Sequence, residues 1–301
     1  MKNFLNISDL SSEECFRIIS SAIDKKNNKK QLNQAQNKTL AMIFEKNSTR
    51  TRISFELAIK QLGGLSIMLD KDQLHLGKRE TLADTAQTLS QYADIIMMRS
   101  NSHHTLENLA KHSTVPIVNG LSDLSHPCQT LATLMTVTEL KGSLEGVNIS
   151  WFGPISNVAH SLIEAANINL GFKLTLHCPK YYQDIYFQKL RDMNKEISFD
   201  NISMNELDIK KVEVADVIYS DTWFSMGDIE DSTKIEMLTK YSIDQDMMSK
   251  AKKDCIFLHC LPANRSQEVS AQVIDGEQSY VWQEAQNRLH VQKELLLHLL
   301  R

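Results

Sequence analysis

Long apolar runs are missing from this sequence, because no stretch approaches the roughly 20 residues that a membrane-spanning helix needs. The first residues also lack the basic flank and the apolar core of a signal peptide. We therefore predict a cytoplasmic protein that has no membrane partner.

The sequence also lacks an excess of basic residues, since 33 Lys and Arg stand against 37 Asp and Glu and give a formal net charge of -4. A chain without a global basic field is not expected to bind nucleic acid. Any bound anion must then be held by a local cluster, so we predict small-molecule ligands.

Cysteine pairs and a glycine-rich nucleotide loop are missing as well. The five cysteines are an odd number and form no C-x-x-C pair, so neither a disulfide framework nor a thiolate metal site is indicated. A strand-to-helix turn from Trp151 to Asn157 looks superficially like a nucleotide-binding turn, but it lacks the G-x-G-x-x-G pattern. We therefore predict reduced thiols, no metal and no cofactor.

Short apolar runs alternate with longer amphipathic ones, which is typical of βα units around a parallel sheet. With 301 residues, of which 42% are hydrophobic, the chain exceeds the usual size of a single core. We predict an α/β fold of two domains, each a mostly parallel sheet flanked by helices. The eight predicted strands are Leu40–Phe44, Leu65–Leu69, Asp94–Met98, Val115–Asn119, Val147–Phe152, Lys173–His177, Asp216–Ser220 and Cys255–His259. The predicted helices cover about 50–62, 80–92, 104–112, 127–140, 156–170, 182–193 and 282–301.

A segment with two glycines, residues 139–146, separates a predicted helix from a predicted strand and is the best candidate for the domain junction. The first domain is accordingly predicted at 1–140 and the second at 147–280. The last helix, 282–301, follows the second sheet, and its apolar positions fit packing on either half.

The run S-T-R-T-R at 48–52 follows a buried-looking strand and opens a predicted helix. A helix N-terminus has unpaired N–H groups and a partial positive charge, so hydroxyls and arginines at this point form a ready anion site. Arg50 offers a bidentate grip on phosphate oxygens. Ile53, Leu57 and Ile59 supply an apolar side to the helix, so we predict that the turn is not simply a solvated surface. On its own, the run fits an N-cap with surface charges about equally well.

The run S-H-P-C-Q at 125–129 lies between a predicted strand and a predicted helix. Pro127 suits the first helical position, which puts His126 at the helix entry and points Gln129 back toward the same opening. An imidazole there can donate a hydrogen bond to a carbonyl oxygen on which negative charge develops, although a lone His before Pro is more often a cap. Arg99 ends the run DIIMMR, so its guanidinium is expected at the carboxyl end of that strand.

Two motifs of the second half also follow predicted strands: H-C-L-P at 259–262 and D-T-W-F-S-M-G at 221–227. Cys260 could be a nucleophile, a metal ligand or an inert small hydrophobe. Asp221 offers a carboxylate at the start of a turn able to close over a ligand, while Trp223 and Met226 fit core positions equally well. Every polar motif thus lies at the edge where open α/β sheets bind ligands.

Together, the motifs S-T-R-T-R-x-S-F-E, H-P-x-Q, D-x-W-x-S-M-G and H-C-L-P, in this order and spacing, resemble those of the ornithine carbamoyltransferases. The likeness covers nearly the whole chain, from FEKNSTRTRISFE to AQNRLH at 285–290. The resemblance implies a carbamoyl-phosphate domain, an acceptor domain, and a homotrimer with active sites between subunits. It also implies that the C-terminal helix returns to the first domain.

The family's functional residues are carried over by matching motif positions. The residues implied to bind carbamoyl phosphate are Ser48, Thr49, Arg50, Thr51, His75, Arg99, His126, Gln129, Cys260, Leu261 and Arg288. Those implied to bind the amino-acid end of ornithine are Asn157, Asp221, Ser225 and Met226. Arg99, His126, Cys260 and Asp221 are expected to carry the catalysis. His75 matches a position that reaches the phosphate from a neighbouring subunit.

The implied reaction transfers the carbamoyl group of carbamoyl phosphate to the side-chain amine of L-ornithine and gives L-citrulline and phosphate. The pair His259-Cys260 argues against aspartate as the acceptor. One turn departs from the family: it usually reads Gly-Asp-Gly-Asn-Asn, whereas residues 153–157 here read Gly-Pro-Ile-Ser-Asn. A carbamoyltransferase with a different amine acceptor is therefore an alternative, and a catalytically silent carbamoyl-phosphate-binding homologue is another.

Overall fold

The computed structural model describes residues 2–28, 33–46, 48–70, 80–194, 196–224 and 231–301. The chain divides into two compact units, of which the first is Met1–Met135 with Gln286–Arg301 and the second is Thr136–Ala285. None of the helices within the described ranges is long and apolar enough to span a membrane.

The first unit is built on a parallel sheet. Its strands are β1 (Thr39–Phe44), β2 (Leu65–Asp70), β3 (Ile95–Arg99) and β4 (Ile117–Leu121). Its helices are α1 (Ser12–Asn28), α2 (Thr49–Gln61), α3 (Leu82–Leu89), α4 (His103–His112) and the first part of α5 (Pro127–Lys141), with a 3-10 turn at Ile7–Asp9. The strand order is β2-β1-β3-β4, and all three pairings are parallel. The central strands are near-continuous apolar runs, as expected for strands that are covered on both faces.

The strand order of the first unit reverses between β1 and β3, since β2 adjoins β1 on one side and β4 adjoins β3 on the other. Such a reversal leaves a crevice at the carboxyl ends of the two central strands, where open α/β sheets bind ligands. Ser48 follows β1 by four residues and Arg99 is the last residue of β3, so both lie at this crevice.

The second unit is built on a five-stranded parallel sheet. Its strands are β5 (Asn148–Phe152), β6 (Lys173–His177), β7 (Ile202–Asn205), β8 (Val217–Ser220) and β9 (Ile256–His259). Its helices are α6 (Asn157–Asn167), α7 (Lys180–Asp192), α8 (Ile209–Val212), α9 (Ser232–Leu238), α10 (Gln245–Lys250) and α11 (Ala271–Ile274), with a 3-10 turn at Thr239–Tyr241 and the start of α12 (Val281–Leu299). The order is β7-β6-β5-β8-β9, so the reversal falls between β5 and β8. The turns after β5, β8 and β9 therefore meet at one edge.

The predicted fold class is confirmed, and each of the eight predicted strands is present within two residues of its predicted limits. The strand β7 was not predicted. It is a four-residue edge strand with one buried position, so it carries no apolar run to detect. Helix α1 was also not predicted, because its apolar positions are spread among many charged and polar residues.

The predicted apolar side of α2 is wrong at two of its three positions. Ile59 is buried, but Ile53 is 50% exposed and Leu57 is 41% exposed. The buried face runs instead through Thr51, Ser54, Phe55, Ala58 and Ile59. These positions follow the three- and four-residue spacing of a helix face, from which 53 and 57 are displaced.

The two units differ by a few residues from the predicted domain limits, because α5 and α12 continue as helices across both limits. Most of α12 belongs to the first unit, where it packs on α1. Glu294 of α12 accepts from Lys25 Nζ at 2.7 Å and from Ser21 Oγ at 2.7 Å. Lys26 Nζ donates to Asn287 Oδ1 at 2.8 Å. The expected return of the C-terminal helix to the first domain is confirmed.

Candidate active site

The first part of the site is the N-terminus of α2. Ser48 is the N-cap residue, and its Oγ accepts the backbone N–H of Thr51 at 3.3 Å. The first turn contains no acidic residue that would neutralise the partial positive charge of the helix end. Thr49 is exposed and Arg50 is half-buried, so both are accessible from solvent. These features suit an anion.

Two buried guanidinium groups converge on Thr51. Arg288 Nη2 donates to Thr51 Oγ1 at 2.9 Å, and Arg99 Nη1 donates to the same oxygen at 3.4 Å. Arg99 lies at the end of β3 and Arg288 lies on α12, so the sheet and the C-terminal helix each contribute one cation. Guanidinium groups offer several charged donors in a geometry that matches phosphate and carboxylate oxygens. Two of them at one point therefore suit a bound anion.

His126 lies in the positive field of this cluster. Burial holds the pKa of His126 well below its usual value, and three guanidinium groups lower that pKa further, those of Arg288, Arg99 and Arg50. The imidazole is therefore neutral near pH 7 and can donate a hydrogen bond without carrying a charge. Gln129, in the first turn of α5, is also buried.

A buried polar network fixes the loop that carries His126. Asn119 donates from its side-chain nitrogen to the carbonyl of Ser125 at 3.3 Å, and its Oδ1 accepts the N–H of Leu121 at 2.9 Å. Ser122 Oγ accepts the N–H of Ser125 at 3.1 Å and lies 2.9 Å from His103 Nδ1. The sequence motifs did not identify Asn119, Ser122 or His103, because these residues act only by holding the loop that carries His126.

The lowered pKa of His126 predicts a loss of stability in acid. Because its folded-state pKa lies below the unfolded-state value of about 6.5, the unfolded chain takes up this proton first, and stability falls as pH drops below about 6.5. We expect about 1.4 kcal/mol of unfolding free energy to be lost per pH unit through this group. The variant His126→Asn should not show this part of the loss of stability in acid.

Urea unfolding of the wild type and of His126→Asn at about pH 7.5 and about pH 5.5 measures the difference. The same exchange at the exposed His104 is the matched control. Equal acid sensitivity of the wild type and the His126 variant would contradict the assignment.

Asp221 and Cys260 meet at the carboxyl edge of the second sheet. Ser220 and His259 are register partners in β8 and β9, so the residues that follow them lie side by side. Cys260 Sγ donates to Asp221 Oδ1 at 2.8 Å, and the same oxygen accepts the backbone N–H of Thr222 at 2.8 Å. This pair places a thiol and a carboxylate at one point of the edge.

Cys260 differs from the other four cysteines in exposure. Burial raises the pKa of those four thiols, each to about 12, and makes them inert: Cys15, Cys128, Cys178 and Cys255. Cys260 alone is half-buried among the five. It is therefore the cysteine that a ligand can reach.

A buried histidine holds the turn after β9. His259 Nδ1 accepts the backbone N–H of Leu261 at 2.9 Å, so the proton of the neutral ring is on Nε2, which lies 3.4 Å from Glu268 Oε1. Leu261 has φ +56, in the left-handed region, and this bond secures its strained backbone. Glu268 also accepts the backbone N–H of Asn264 at 2.5 Å.

A second buried carboxylate, that of Glu284, supports the same strand end. It accepts from Tyr219 Oη at 2.9 Å and from the backbone N–H of His259 at 3.2 Å. Glu268 and Glu284 were missed by sequence reasoning. Their sequence neighbours are mostly polar, NRSQEVS at 264–270 and VWQEAQNR at 281–288, so each carboxylate resembles an ordinary solvent-facing residue.

The turn after β5 leads directly into α6. Gly153 has φ +112, and Ser156 is the N-cap, whose Oγ accepts the N–H of Val158 at 3.2 Å. Asn157 is the first residue of α6 and is half-buried. Trp151 Nε1 donates to the carbonyl of Pro154 at 3.1 Å, which fixes the turn. The turn that departs from the family pattern is thus an ordered, capped helix start.

The structure brings together the predicted residues of each half. In the first unit these are Ser48, Arg50, Thr51, Arg99, His126 and Arg288. In the second unit, Asp221 and Cys260 are in contact, with Leu261 beside them, while Asn157 opens α6. His75, Ser225 and Met226 lie outside the described residues.

The two sheets and their edges define a two-domain α/β protein with an arginine cluster at the carboxyl edge of one sheet and a carboxylate with a thiol at the carboxyl edge of the other. Comparison with known proteins assigns the chain to a family. A family model described as "Aspartate/ornithine carbamoyltransferase, carbamoyl-P binding domain" matches residues 2–139, and the model "Aspartate/ornithine carbamoyltransferase, Asp/Orn binding domain" matches residues 145–299. The chain belongs to the aspartate/ornithine carbamoyltransferase family, which confirms the resemblance drawn from its motifs.

Individual relatives agree with this assignment. The chain is 43% identical over 303 residues to an ornithine carbamoyltransferase of Bacillus subtilis, which covers 99% of this chain and 94% of the relative. It is 46% identical over 259 residues to one of Rhizorhabdus wittichii, with 86% and 82% covered. The solved structure of ornithine carbamoyltransferase from Pyrococcus furiosus matches with a TM-score of 0.89 and 40% identity, covering 98% of this chain and 96% of that one.

Proposed function

We propose that this enzyme transfers the carbamoyl group of carbamoyl phosphate to the side-chain amine of L-ornithine and forms L-citrulline and phosphate. The observation that carries the proposal is the convergence of Arg99 and Arg288 on Thr51 beside the neutral His126. This cluster suits an anion that also presents a carbonyl. The full-length similarity to ornithine carbamoyltransferases supports the choice of acceptor.

In the proposed complex, the phosphate occupies the N-terminus of α2. Its oxygens accept from the backbone N–H groups of the first turn and from the hydroxyls of Ser48, Thr49 and Thr51, and Arg50 binds two of them. The carbamoyl oxygen accepts from Arg99, His126 and Thr51. Gln129 and Arg288 are the remaining residues of the first unit that bind carbamoyl phosphate. Cys260 and Leu261 lie next to the carbamoyl group.

The reaction requires no covalent enzyme intermediate, because carbamoyl phosphate already contains a good leaving group. The amine attacks the carbamoyl carbon, and negative charge develops on the carbamoyl oxygen, where three donors of the first unit stabilise it. The carbon–oxygen bond to phosphate then breaks, the departing phosphate takes up the proton that the attacking nitrogen loses, and the phosphate remains on the helix N-terminus. Positioning and charge stabilisation thus provide the catalysis.

On the acceptor side, we propose that Asp221 pairs with the α-ammonium group of ornithine, while Cys260 contacts its side-chain amine. Asn157, Ser225 and Met226 bind the remaining amino-acid end. A side-chain amine of this kind has a solution pKa of about 10.4, so the site must bind its neutral form for attack. A half-buried thiol beside a carboxylate offers a weakly polar contact for a neutral amine.

The direct test is the formation of L-citrulline and phosphate from carbamoyl phosphate and L-ornithine. Absence of citrulline at millimolar substrate concentrations would overturn the proposal. The departure of residues 153–157 from the family pattern motivates a second candidate, a carbamoyltransferase with another amine acceptor. Assays with putrescine, N-acylornithines and lysine distinguish the two, since a better amine than ornithine would establish the second. Calorimetric binding of carbamoyl phosphate without turnover on any amine would instead establish a silent binding protein.

We also propose that the enzyme is a homotrimer in the cytoplasm. Its five cysteines are free thiols, which suits a reducing compartment. The edge strand β2 exposes Leu65 and Ile67, and the adjacent α2 exposes Ile53 and Leu57, so four large apolar side chains lie on one border of the first sheet. A second copy of this chain is the proposed occupant. Because α2 also begins at the anion site, a neighbouring copy on this border could contribute to that site.

Charges on this border are expected to prevent assembly. The double exchange Leu65→Glu and Ile67→Glu should reduce the molar mass in light scattering from three chains to one chain of 34.3 kDa. Ile185→Glu, at an exposed apolar position of α7 in the second unit, is the matched control and should keep the wild-type mass. A wild-type mass of one chain would contradict the proposed assembly.

A further inference from the structure

Trp223 has a buried indole nitrogen for which the described residues provide no acceptor. The side chain is 3% exposed, and its ring packs in an apolar cluster with Phe224, Leu238 and Tyr241. The nitrogen Nε1 lacks a hydrogen-bond partner among the described residues. A buried donor without an acceptor is unfavourable and is rare in folded proteins. Phenylalanine would fill the same apolar cluster without that cost.

The indole nitrogen of Trp223 lies beside the turn that precedes α6. Trp223 Nε1 lies 3.5 Å from the point that a Cβ atom on Gly153 would occupy, and Gly153 begins that turn. The other indole at this turn, that of Trp151, already donates to Pro154 at 3.1 Å. The turn ends at the cap of an 11-residue helix that has no acidic residue in its first turn. A buried donor thus lies beside the first residue of a turn that ends at a helix N-terminus, and both features favour an anion.

Asp221, two residues before Trp223, supplies a negative charge that suits a cationic group of the ligand. Asp221, which ends the same strand-to-turn connection, is a carboxylate in contact with Cys260. A group that carries an ammonium and a carboxylate on one carbon would satisfy both ends, with the ammonium at Asp221 and the carboxylate at Trp223. A simple diamine would leave the indole N–H without an acceptor.

From this geometry we propose that Trp223 is a specificity-determining residue, whose indole N–H donates a hydrogen bond to the α-carboxylate of the acceptor. The acceptor class is thereby restricted to α-amino acids with a side-chain amine. The inference rests on the proposed carbamoyl transfer, because it concerns the second substrate of that reaction. In this arrangement the indole contacts the carboxylate end of the acceptor and not the reacting amine, so it acts on acceptor binding and not on the chemical step.

Trp223→Phe removes the N–H and keeps an aromatic ring in the apolar cluster. We expect the KM for L-ornithine to rise about tenfold, as for one hydrogen bond to a charged group, with kcat changed less than about threefold. The KM for carbamoyl phosphate should stay within about twofold of the wild-type value. Trp282→Phe is the matched control, since it is the same exchange at a tryptophan that is 66% exposed, and it should leave all three constants unchanged.

A binding measurement separates a ligand contact from a purely structural role, because only a contact changes the Trp223 signal when the ligand binds. The protein has three tryptophans, so 15N-labelled protein gives three indole signals that single Trp→Phe exchanges assign. L-2-Aminopentanoate has the α-carboxylate and α-ammonium of ornithine but no side-chain amine, so it binds without reacting. In the presence of phosphate it should shift the indole N–H of Trp223 downfield, while butan-1-amine, which lacks the carboxylate, should not.

The outcomes separate this inference from the proposed function. Citrulline formation by the wild type with equal ornithine KM values for Trp223→Phe and Trp282→Phe would overturn the inference and leave the reaction in place. An unmoved Trp223 indole signal at saturating L-2-aminopentanoate would overturn it as well. A wild type that forms no citrulline would overturn the proposed function instead.

Discussion

Replacing Arg50 by alanine is expected to weaken the binding of inorganic phosphate and of carbamoyl phosphate at least about a hundredfold. A bidentate guanidinium contact provides two charge-assisted hydrogen bonds, each contributing roughly 1.5–3 kcal/mol. Arg50 is half-buried at the first turn of α2, and its charge acts on His126. It is therefore close enough to the cluster to bind the same anion as the helix end.

The variant should not lose stability without a ligand. Arg50 stands in a field of like charge from Arg99 and Arg288, so its removal relieves repulsion in the unliganded protein. We expect an unchanged or slightly raised melting temperature in phosphate-free buffer, together with a loss of the stabilisation that phosphate gives the wild type. This combination distinguishes a binding defect from misfolding.

Arg52→Ala is the matched control, because Arg52 is exposed, lies two residues further along α2, and undergoes the same loss of charge. Calorimetric titration with phosphate compares the three proteins. A hundredfold effect in both variants would indicate a general charge effect, and no effect in Arg50→Ala would contradict the placement of the phosphate at the start of α2.

The elements that carry the site were predictable because they combine two local signals. Each central strand is a short apolar run, and each functional segment is a polar motif directly after such a run, as for Arg99 at the end of β3. Parallel strands place their carboxyl ends at one edge, so the motifs could be grouped without knowledge of any contact. The pairing of Cys260 with Asp221 follows from the same rule once β8 and β9 are neighbours.

The residues that hold the site in place were not predictable in this way. Helix α1 holds α12 through Lys25 and Lys26, and α12 provides Arg288, but nothing in the N-terminal segment indicates that role. Glu284 lies on a different element from Cys260, and both Glu268 and Glu284 support the turn after β9 only once the chain has folded. Such contacts depend on tertiary packing, for which a single sequence carries no periodic signal.

The error at α2 has a similar cause. Ile53 and Leu57 were assigned to a buried side because they are apolar, although the buried face at this helix includes the polar residues Thr51 and Ser54. Thr51 is buried because two guanidinium groups bond its hydroxyl. A functional site thus reverses the usual relation between polarity and burial on one helix.

The acceptor side depends on one carboxylate, and Asp221→Asn is expected to lower kcat/KM for L-ornithine about a thousandfold. The exchange keeps the size of the side chain, and an amide oxygen can still accept from Cys260 Sγ and from the backbone N–H of Thr222. Only the charge is lost. In the proposed complex that charge pairs with the α-ammonium of ornithine in a largely desolvated position, where loss of one partner costs roughly 3–5 kcal/mol.

The affinity for carbamoyl phosphate should remain within about twofold of the wild-type value, because the residues proposed to bind it as an anion all belong to the first unit. Asp208→Asn is the matched control, since Asp208 is a carboxylate of the same unit that caps the short helix α8 and has no part in the proposed site. Steady-state kinetics with each substrate varied, together with phosphate titration, separates the two halves. Equal losses of phosphate and ornithine binding in Asp221→Asn would contradict a division of labour between the two sheets, because a charge that serves only the acceptor has no reason to change the binding of the donor.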